Sequence, residues 1–265
     1  NGCELRSCYV GRSCLDILNT IPGLPSGNYM IDPDGPPRGT SGAMKGGGKG
    51  GGVGGTLPPM MAYCDMTTAG GGWTLVLNYL HQGTTNPTTN ALPGRLPQFN
   101  PLGALGDDEG GTMRFSHADN SLFSALRAGS IAIGGPRQLR FFGITSHMDG
   151  MSPPSRVIHF RTNAAGGCES YFATGSGGPC SFTPLGSEPW TALAGHTGFL
   201  PMVANSGRTS SGHNAMIDFP FNSAVLHWNI GTLAGGGERW EVDDYAGPGV
   251  AEAFRYDTWH QIWYR

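Results

Sequence analysis

Charged residues are scarce in this sequence of 265 residues, since Asp, Glu, Lys and Arg together make up only 13% of it. An ordinary soluble domain contains about twice that share. Aromatic residues reach 10%, and disordered chains combine high charge with few aromatic residues, so the composition excludes disorder driven by charge. The 16 basic and 19 acidic residues give a net charge of −3 and form no basic stripe. We therefore expect no nucleic-acid partner.

Long apolar runs and closely spaced metal ligands are also missing. No apolar run approaches the roughly 20 residues of a membrane-spanning helix, so we expect no membrane span. No Cys-x2-Cys or His-x3-His pair of the kind that holds zinc occurs. Disulfides and an oxidising compartment are the better explanation for the six cysteines, although six cysteines allow fifteen pairings and their count alone does not choose one. They are Cys3, Cys8, Cys14, Cys64, Cys168 and Cys180.

The sequence begins at Asn1 rather than at a methionine, and it shows no charged and then apolar leader. Together with the cysteines, this start favours a processed protein whose signal peptide has been removed. We therefore expect a secreted, extracellular or cell-surface protein.

Glycine is the residue that the sequence has in excess, with 45 Gly beside 20 Pro. The glycines lack the three-residue period of collagen. Nine of the fourteen residues in 42–55 are Gly, but Lys49 is not followed by the Ser or Thr that a phosphate-binding loop requires. We interpret 42–55 as a glycine-rich surface loop. The remaining excess indicates a globular fold with short strands and long loops.

Local patterns predict few helices and several short strands. Ser13 is placed to cap a helix over 13–18, with Asp16 in its first turn. A second amphipathic helix is predicted over 119–127, with Gly129 as its C-cap. A turn is predicted at 32–35. Predicted strands cover 28–31, 62–64, 73–79, 130–133, 138–142, 156–160, 224–228 and 261–264.

Four motifs occur in order near the start of the chain. They are Ser-Cys-Leu-Asp-Ile-Leu at 13–18, Pro-Ser-Gly-Asn-Tyr-Met-Ile-Asp-Pro-Asp-Gly at 25–35, Tyr-Cys-Asp-Met-Thr at 63–67 and Gly-Gly-Gly-Trp-Thr-Leu-Val at 70–76. This segment resembles the opening of the fibrinogen-related C-terminal domain. The resemblance implies an α+β fold with a mixed or antiparallel sheet, few short helices and long loops tied by disulfides.

The resemblance also implies a domain organisation. Residues 1–12 form an N-terminal segment with cysteines, and 13–265 form a single fibrinogen-like domain. Within it, 13–80 is a signature subdomain that carries the insertion 42–55, and 81–265 is a divergent body with the ligand-binding part. The ending Ile-Trp-Tyr-Arg at 262–265 is similar to that of intelectins, the X-type lectins that share the opening motifs.

The cysteine pairing follows from the same resemblance. It implies a disulfide between Cys14 and Cys64, and it makes Cys168 and Cys180 a plausible second pair. Cys3 and Cys8 are either a local disulfide or bridges to other chains. The usual Asp-x-Asp calcium loop before the second pair is missing here, because 161–167 carries no carboxylate.

Intelectins bind microbial sugars through a calcium ion that is held by side-chain oxygens and a histidine-containing loop. The comparable stretch here is 212–220, which makes His213, Asn214 and Asp218 candidate calcium ligands. The family has Glu after the Pro of this stretch, whereas this chain has Phe221. An ordinary loop that enters a strand is the alternative.

Two acidic clusters are further candidates for a calcium site, because Ca²⁺ prefers oxygen ligands. One is Asp107, Asp108 and Glu109, and the other contains Asp243 and Asp244. Aromatic residues surround the second cluster in sequence and are candidate ligand-binding residues: Trp228, Trp240, Tyr245 and Trp259. Solvated loops and core aromatics are the alternatives.

These features predict a non-enzymatic recognition module that binds carbohydrate with calcium as its cofactor. Its expected partners are glycans or extracellular glycoproteins, within a homo-oligomer or a larger extracellular assembly. The alternative is a structural module for cell adhesion that has lost the ligand site. The missing Glu after Pro220 and the missing Asp-x-Asp motif favour that alternative. The sequence also lacks the Gly-x-Ser-x-Gly motif that would indicate a hydrolase.

Overall fold

A computed structural model describes residues 9–35, 57–81, 96–97, 115–118, 120–146, 155–163, 169, 190–196 and 258–265. Its helices and strands are α1 Cys14–Thr20, β1 Gly27–Ile31, β2 Met60–Asp65, β3 Trp73–His81, β4 Phe115–His117, α2 Asn120–Ala132, β5 Leu139–Ser146, β6 Ser155–Thr162, β7 Trp190–Ala192 and β8 Thr258–Tyr264. A short 3₁₀ turn, Thr68–Gly70, lies between β2 and β3.

The strands form one antiparallel sheet in the order β1-β2-β3-β8-β5-β6-β7, and β4 pairs with β3 beyond the end of β2. The last strand of the chain, β8, therefore lies between β3 and β5. With two helices beside this sheet, the described residues have an α+β arrangement, which confirms the predicted class at this coarse level. No helix within the described ranges is long and apolar enough to span a membrane.

Strand alternation gives the sheet two faces of different chemistry. The helix face is apolar and packs against α1 and α2. There, Phe123 lies 4.9 Å from Tyr264 between ring centroids, and Phe141 stacks on Phe160 at 4.9 Å. Other buried residues of this core include Ile17, Ala62, Cys64, Leu77, Leu122, Leu126, Leu139 and Ile262. The opposite face carries a separate buried cluster of Trp73, Leu75 and Trp263, against which Tyr63 packs.

Helix α1 forms as its capping residues predict. Ser13 is the N-cap, and its side chain accepts a hydrogen bond from the backbone N–H of Asp16. The Asp16 carboxylate accepts in return from the backbone N–H of Arg12 at 2.8 Å. The helix ends at Thr20, two residues beyond the predicted end.

The structure contains a disulfide between Cys14 and Cys64, the pairing that the resemblance implies. Both cysteines are buried, and their Cα atoms lie 5.4 Å apart. The backbone N–H of Cys14 also donates to Thr74 Oγ1 at 3.2 Å. These contacts fix α1 to β2 and β3 on the helix face.

Helix α2 corrects two of the predictions. It runs from Asn120 to Ala132, so Gly129 lies inside the helix and 130–133 is not a strand. Gly129 allows close packing instead, because a Cβ there would lie 3.0 Å from the carbonyl oxygen of Pro33, closer than an ordinary contact. The left-handed residue that follows the helix is Gly134, with φ of 68°.

The turn 32–35 forms as predicted, with the Gly35 N–H donating to the Asp32 carbonyl. The strands predicted at 28–31, 62–64, 73–79, 156–160 and 261–264 are present within β1, β2, β3, β6 and β8, and the strand predicted at 138–142 begins one residue before β5. Strands β4 and β7 were not expected from the sequence. The insertion 42–55 and the predicted strand 224–228 lie outside the described residues.

Candidate functional site

A groove of about 310 Å³ lies on the face of the sheet opposite the helices. We call it the Arg140 groove. It is formed where the end of β2 meets β5, β6 and β8. The residues that line it are Ser26, Tyr63, Asp65, Thr67, Thr68, Arg140, Phe142, His159, Gln261 and Trp263.

Strand register places these side chains together. Arg140 of β5 pairs with Trp263 of β8 on one side and with Arg161 of β6 on the other. Two residues further along β5, Phe142 pairs in the same way with Gln261 and His159. Residues that are direct neighbours on adjacent strands point to the same face. Trp263, Arg140, Phe142, Gln261 and His159 from these two rows line the groove, and Arg161 lies beside it on the same face.

A buried ion pair joins the end of β2 to β5. Arg140 Nη1 donates to Asp65 Oδ2 at 2.6 Å, and Arg140 is only 3% exposed. Asp65 Oδ1 accepts from the backbone N–H groups of Thr67 and Thr68, both at 3.0 Å. Burial alone would raise the pKa of Asp65, but the Arg140 charge and these hydrogen bonds outweigh it and hold that pKa well below its usual range.

Arginine and tryptophan side chains alternate beside this ion pair. The Arg140 guanidinium lies 4.3 Å from the ring centroid of Trp263 and 5.2 Å from that of Trp73. The Arg265 guanidinium lies 4.2 Å from the centroid of Trp73. Each desolvated contact of this kind stabilises by about 2 kcal/mol. The arrangement therefore fixes the Arg140 side chain from two sides.

The Gly70-Gly71-Gly72 motif holds Arg265, which lies at one end of this row of alternating Arg and Trp side chains. Arg265 Nη1 donates to the carbonyl oxygens of Ala69 and Gly71, both at 2.9 Å, and Arg265 Nη2 donates to Gln138 Oε1 at 2.8 Å. Gly71 has φ of 70°, and a Cβ there would collide with the carbonyl oxygen of Met66. The motif thus serves a tight turn that presents backbone carbonyls to Arg265.

His159 offers a neutral imidazole to the groove. Its Nδ1 lies 2.7 Å from the carbonyl oxygen of Ala194, and because a carbonyl only accepts, Nδ1 carries the proton. Nε2 of the neutral ring is then an acceptor. Burial is the main reason that the pKa of His159 is lowered, and the nearby Arg140 charge adds to it. The ring therefore stays neutral at pH 7.

Two enclosed N–H groups of the groove have no hydrogen-bond partner in the part of the chain that the structure describes. They are Arg140 Nε and Trp263 Nε1. Both residues are 3% exposed. Leaving such donors unpaired costs about 1–3 kcal/mol each, so this region retains unused capacity to donate.

The residues predicted as ligands lie almost entirely outside the described ranges. This holds for Asp107, Asp108, Glu109, His213, Asn214, Asp218, Trp228, Trp240, Asp243, Asp244 and Tyr245, and also for Cys3, Cys8, Cys168 and Cys180. Trp259 is in β8, where its backbone pairs with Leu80 and Ile144. Within the described ranges, no three His, Cys, Asp or Glu side chains come together as a metal site. The calcium site stays a prediction.

The groove residues Arg140, His159 and Gln261 were not predicted from the sequence. One signal was present, because 138–141 and 158–161 alternate polar and apolar residues, which is typical of strands with one polar face. Their meeting with Asp65 and Trp263 depends on long-range pairing, which no local pattern shows.

Comparison with known proteins does not place the chain in a family. The chain matches no protein-family model and no curated protein.

Proposed function

We propose that this protein is a secreted or cell-surface recognition module, without enzymatic activity, that binds carbohydrate in the Arg140 groove. The observation that carries the proposal is the combination, in one concave site, of aromatic side chains with both donors and acceptors of hydrogen bonds. The volume of about 310 Å³ is at the lower end of small-molecule sites, which suits a single sugar residue or a chain end.

The aromatic residues of the groove suit the apolar face of a sugar ring. Tyr63, Phe142 and Trp263 all line it, and the rings of Tyr63 and Trp263 have centroids 6.0 Å apart. A pyranose ring exposes C–H groups on its faces and hydroxyl groups at its rim. Amphipathic aromatic side chains favour such ligands, since they bury apolar area while polar groups stay within reach.

The polar residues of the groove suit the hydroxyl rim. Each sugar hydroxyl both donates and accepts. Arg140 has N–H donors besides the one that bonds Asp65, His159 Nε2 supplies an acceptor, and Thr67 and Thr68 line the groove wall.

A binding role, rather than a catalytic one, agrees with the protonation state of Asp65. Asp65 accepts from Ser26, Thr67, Thr68 and Arg140, so it is held as an anion. A general acid needs the opposite, a raised pKa that keeps the carboxyl protonated near neutral pH. Asp65 therefore suits the positioning of Arg140 better than proton transfer.

An extracellular location is supported by the Cys14–Cys64 disulfide, because structural disulfides persist in oxidising compartments. The resemblance to fibrinogen-related domains and intelectins points the same way, and it also carries the proposal of a calcium cofactor. The proposed calcium ligands lie among 107–109, 213–218 and 243–244.

A structural or adhesive module is the second candidate. It is favoured by the internal pairing of Asp65 with Arg140, which neutralises one charge of each sign without any ligand. In that case the ion pair would serve only to hold β2 against β5.

Glycan-array binding of the whole chain tests the proposal, with Phe142→Leu and His159→Gln as groove variants. Ile131→Ala is the matched control, because Ile131 is 49% exposed on α2, away from the groove. We expect wild type and control to bind the same glycans, and each groove variant to bind about tenfold more weakly, the effect of losing one well-packed contact. Unchanged binding by both groove variants would reject the site, and binding to protein partners alone would favour the structural module.

Calcium dependence is tested separately by thermal unfolding with calcium and then with EDTA. A bound ion raises the thermal midpoint in calcium, since a ligand that binds only the folded state stabilises it. A midpoint that is the same in both conditions would remove calcium from the proposal and leave the groove assignment standing.

A further inference from the structure

Positive charge exceeds negative charge around the Arg140 groove. Arg161 is the direct neighbour of Arg140 across β5 and β6, and Arg265 contacts the same Trp73 ring as Arg140. The one carboxylate in ion-pair contact with this group, within the described ranges, is Asp65. Three guanidinium groups and one carboxylate leave a surplus of two positive charges, although the whole chain has a net charge of −3.

This surplus is unfavourable in the empty groove. Like charges directly opposite each other on neighbouring strands destabilise a sheet, and this is the position of Arg140 and Arg161. Arg265 adds to the crowding, since its own side chain is tied to backbone carbonyls and an amide rather than to a carboxylate. Burial, with the charges of Arg161 and Arg140, lowers the pKa of Arg265 to about 10. An anion at this position would relieve the repulsion.

Guanidinium groups select particular anions. Their planar fork matches a carboxylate with two parallel hydrogen bonds, and such charge-assisted bonds are about twice as strong as neutral ones. Arg140 itself has an N–H group, Nε, that finds no partner among the described residues. The Arg140 charge is balanced by Asp65, whereas Arg161 beside the groove has no carboxylate in ion-pair contact among the described residues. The site therefore combines an aromatic groove with an edge at which the Arg161 charge is not neutralised.

We propose that the Arg140 groove takes an acidic sugar, a uronic acid residue, with its ring against the groove aromatics and its carboxylate at the edge formed by Arg140 and Arg161. The inference rests on the proposed carbohydrate function and adds the ligand class. Neutral sugars fit the same groove but leave the charge surplus in place, so they bind more weakly.

The test is a calorimetric titration of the whole chain with D-glucuronate and with D-glucose, which differ at C6 by the carboxylate. We expect glucuronate to bind about tenfold more tightly than glucose in about 0.02 M NaCl, and this preference to shrink in about 0.5 M NaCl because salt screens the interaction. Arg161→Gln should weaken the binding of glucuronate more than that of glucose and so remove most of the preference. Arg161→Lys should keep part of it.

Arg137→Gln is the matched control. It also removes one positive charge, but Arg137 faces Glu169, at 3.9 Å, rather than the groove. Equal affinities of wild type for glucose and glucuronate would overturn the acidic-sugar inference and leave the proposed function standing. A preference that survives Arg161→Gln, or that falls equally in Arg137→Gln, would overturn the role of Arg161. If the folded wild type binds neither these sugars nor any glycan of the array, both proposals fail.

Discussion

The two faces of the sheet are built from the same strands but hold different chemistry. The helix face buries Phe123, Phe141 and Phe160 against α1 and α2. The groove face buries Arg140 between Trp73 and Trp263 and pairs it with Asp65. An apolar face stabilises with little demand on geometry, whereas a buried charge stabilises only if its partners are in place. The comparison teaches that the helix face supports the fold and the groove face holds oriented polar groups.

The largest expected loss of stability comes from removing the Cys14–Cys64 disulfide on the helix face. Cys14→Ser with Cys64→Ser removes a cross-link between residues 50 positions apart. The chain-entropy relation gives about 4 kcal/mol for a loop of this length. Urea unfolding monitored by circular dichroism measures the loss, and the fraction that stays folded should keep its glycan binding. A loss of binding in folded molecules would show that the two faces are not independent.

Removing the partner of the buried carboxylate should have a somewhat smaller effect. Arg140→Met leaves Asp65 without its counter-ion, and breaking a buried pair in this way destabilises by about 3 kcal/mol. The double variant Arg140→Met with Asp65→Asn should recover part of that loss, because no unpaired charge remains. Urea unfolding of the two single variants and the double variant gives the coupling energy. Losses that simply add would show that Asp65 and Arg140 do not act as a unit.

The smallest expected effect is a pH dependence that belongs to the groove face. A carboxyl whose pKa is lower in the folded state adds stability in full above its unfolded pKa of about 4, and loses it as pH falls through the folded pKa. Asp65 has such a lowered pKa. The stability advantage of wild type over Asp65→Asn should therefore be constant from about pH 7 to about pH 5, and should shrink steadily as the pH falls from about 4 to about 2. A stability difference between wild type and Asp65→Asn that stays constant over this lower pH range would contradict a stabilising ion pair between Asp65 and Arg140.

Local features of the fold could be predicted because local chemistry determines them. Ser13 caps α1 through a hydrogen bond three residues away, and the turn after Ile31 forms within four residues. Gly129 misled the prediction, since its lack of a Cβ accommodates Pro33 from a distant part of the chain rather than ending α2. The position of β8 between β3 and β5 likewise has no local signal.

The site was harder to predict than the fold for the same reason. Asp65 and Arg140 are 75 positions apart, and they meet because β8 brings β3 and β5 into one sheet. Local patterns instead favour acidic clusters such as 107–109 and 243–244, where possible metal ligands are close in sequence. A buried guanidinium between aromatic rings leaves little signal in the sequence, only one Arg between Leu139 and Phe141.

Binding of ligand on the groove face can be observed directly by NMR titration of the whole chain. Trp263 Nε1–H is an indole proton with no hydrogen-bond partner among the described residues. D-glucuronate should shift the Trp263 indole signal and the Arg140 Nε–H signal, and leave the amide signals of Leu122 and Phe123 on the helix face unchanged. Shifts confined to 213–218 and 243–244, with the Trp263 and Arg140 signals unmoved, would contradict the account.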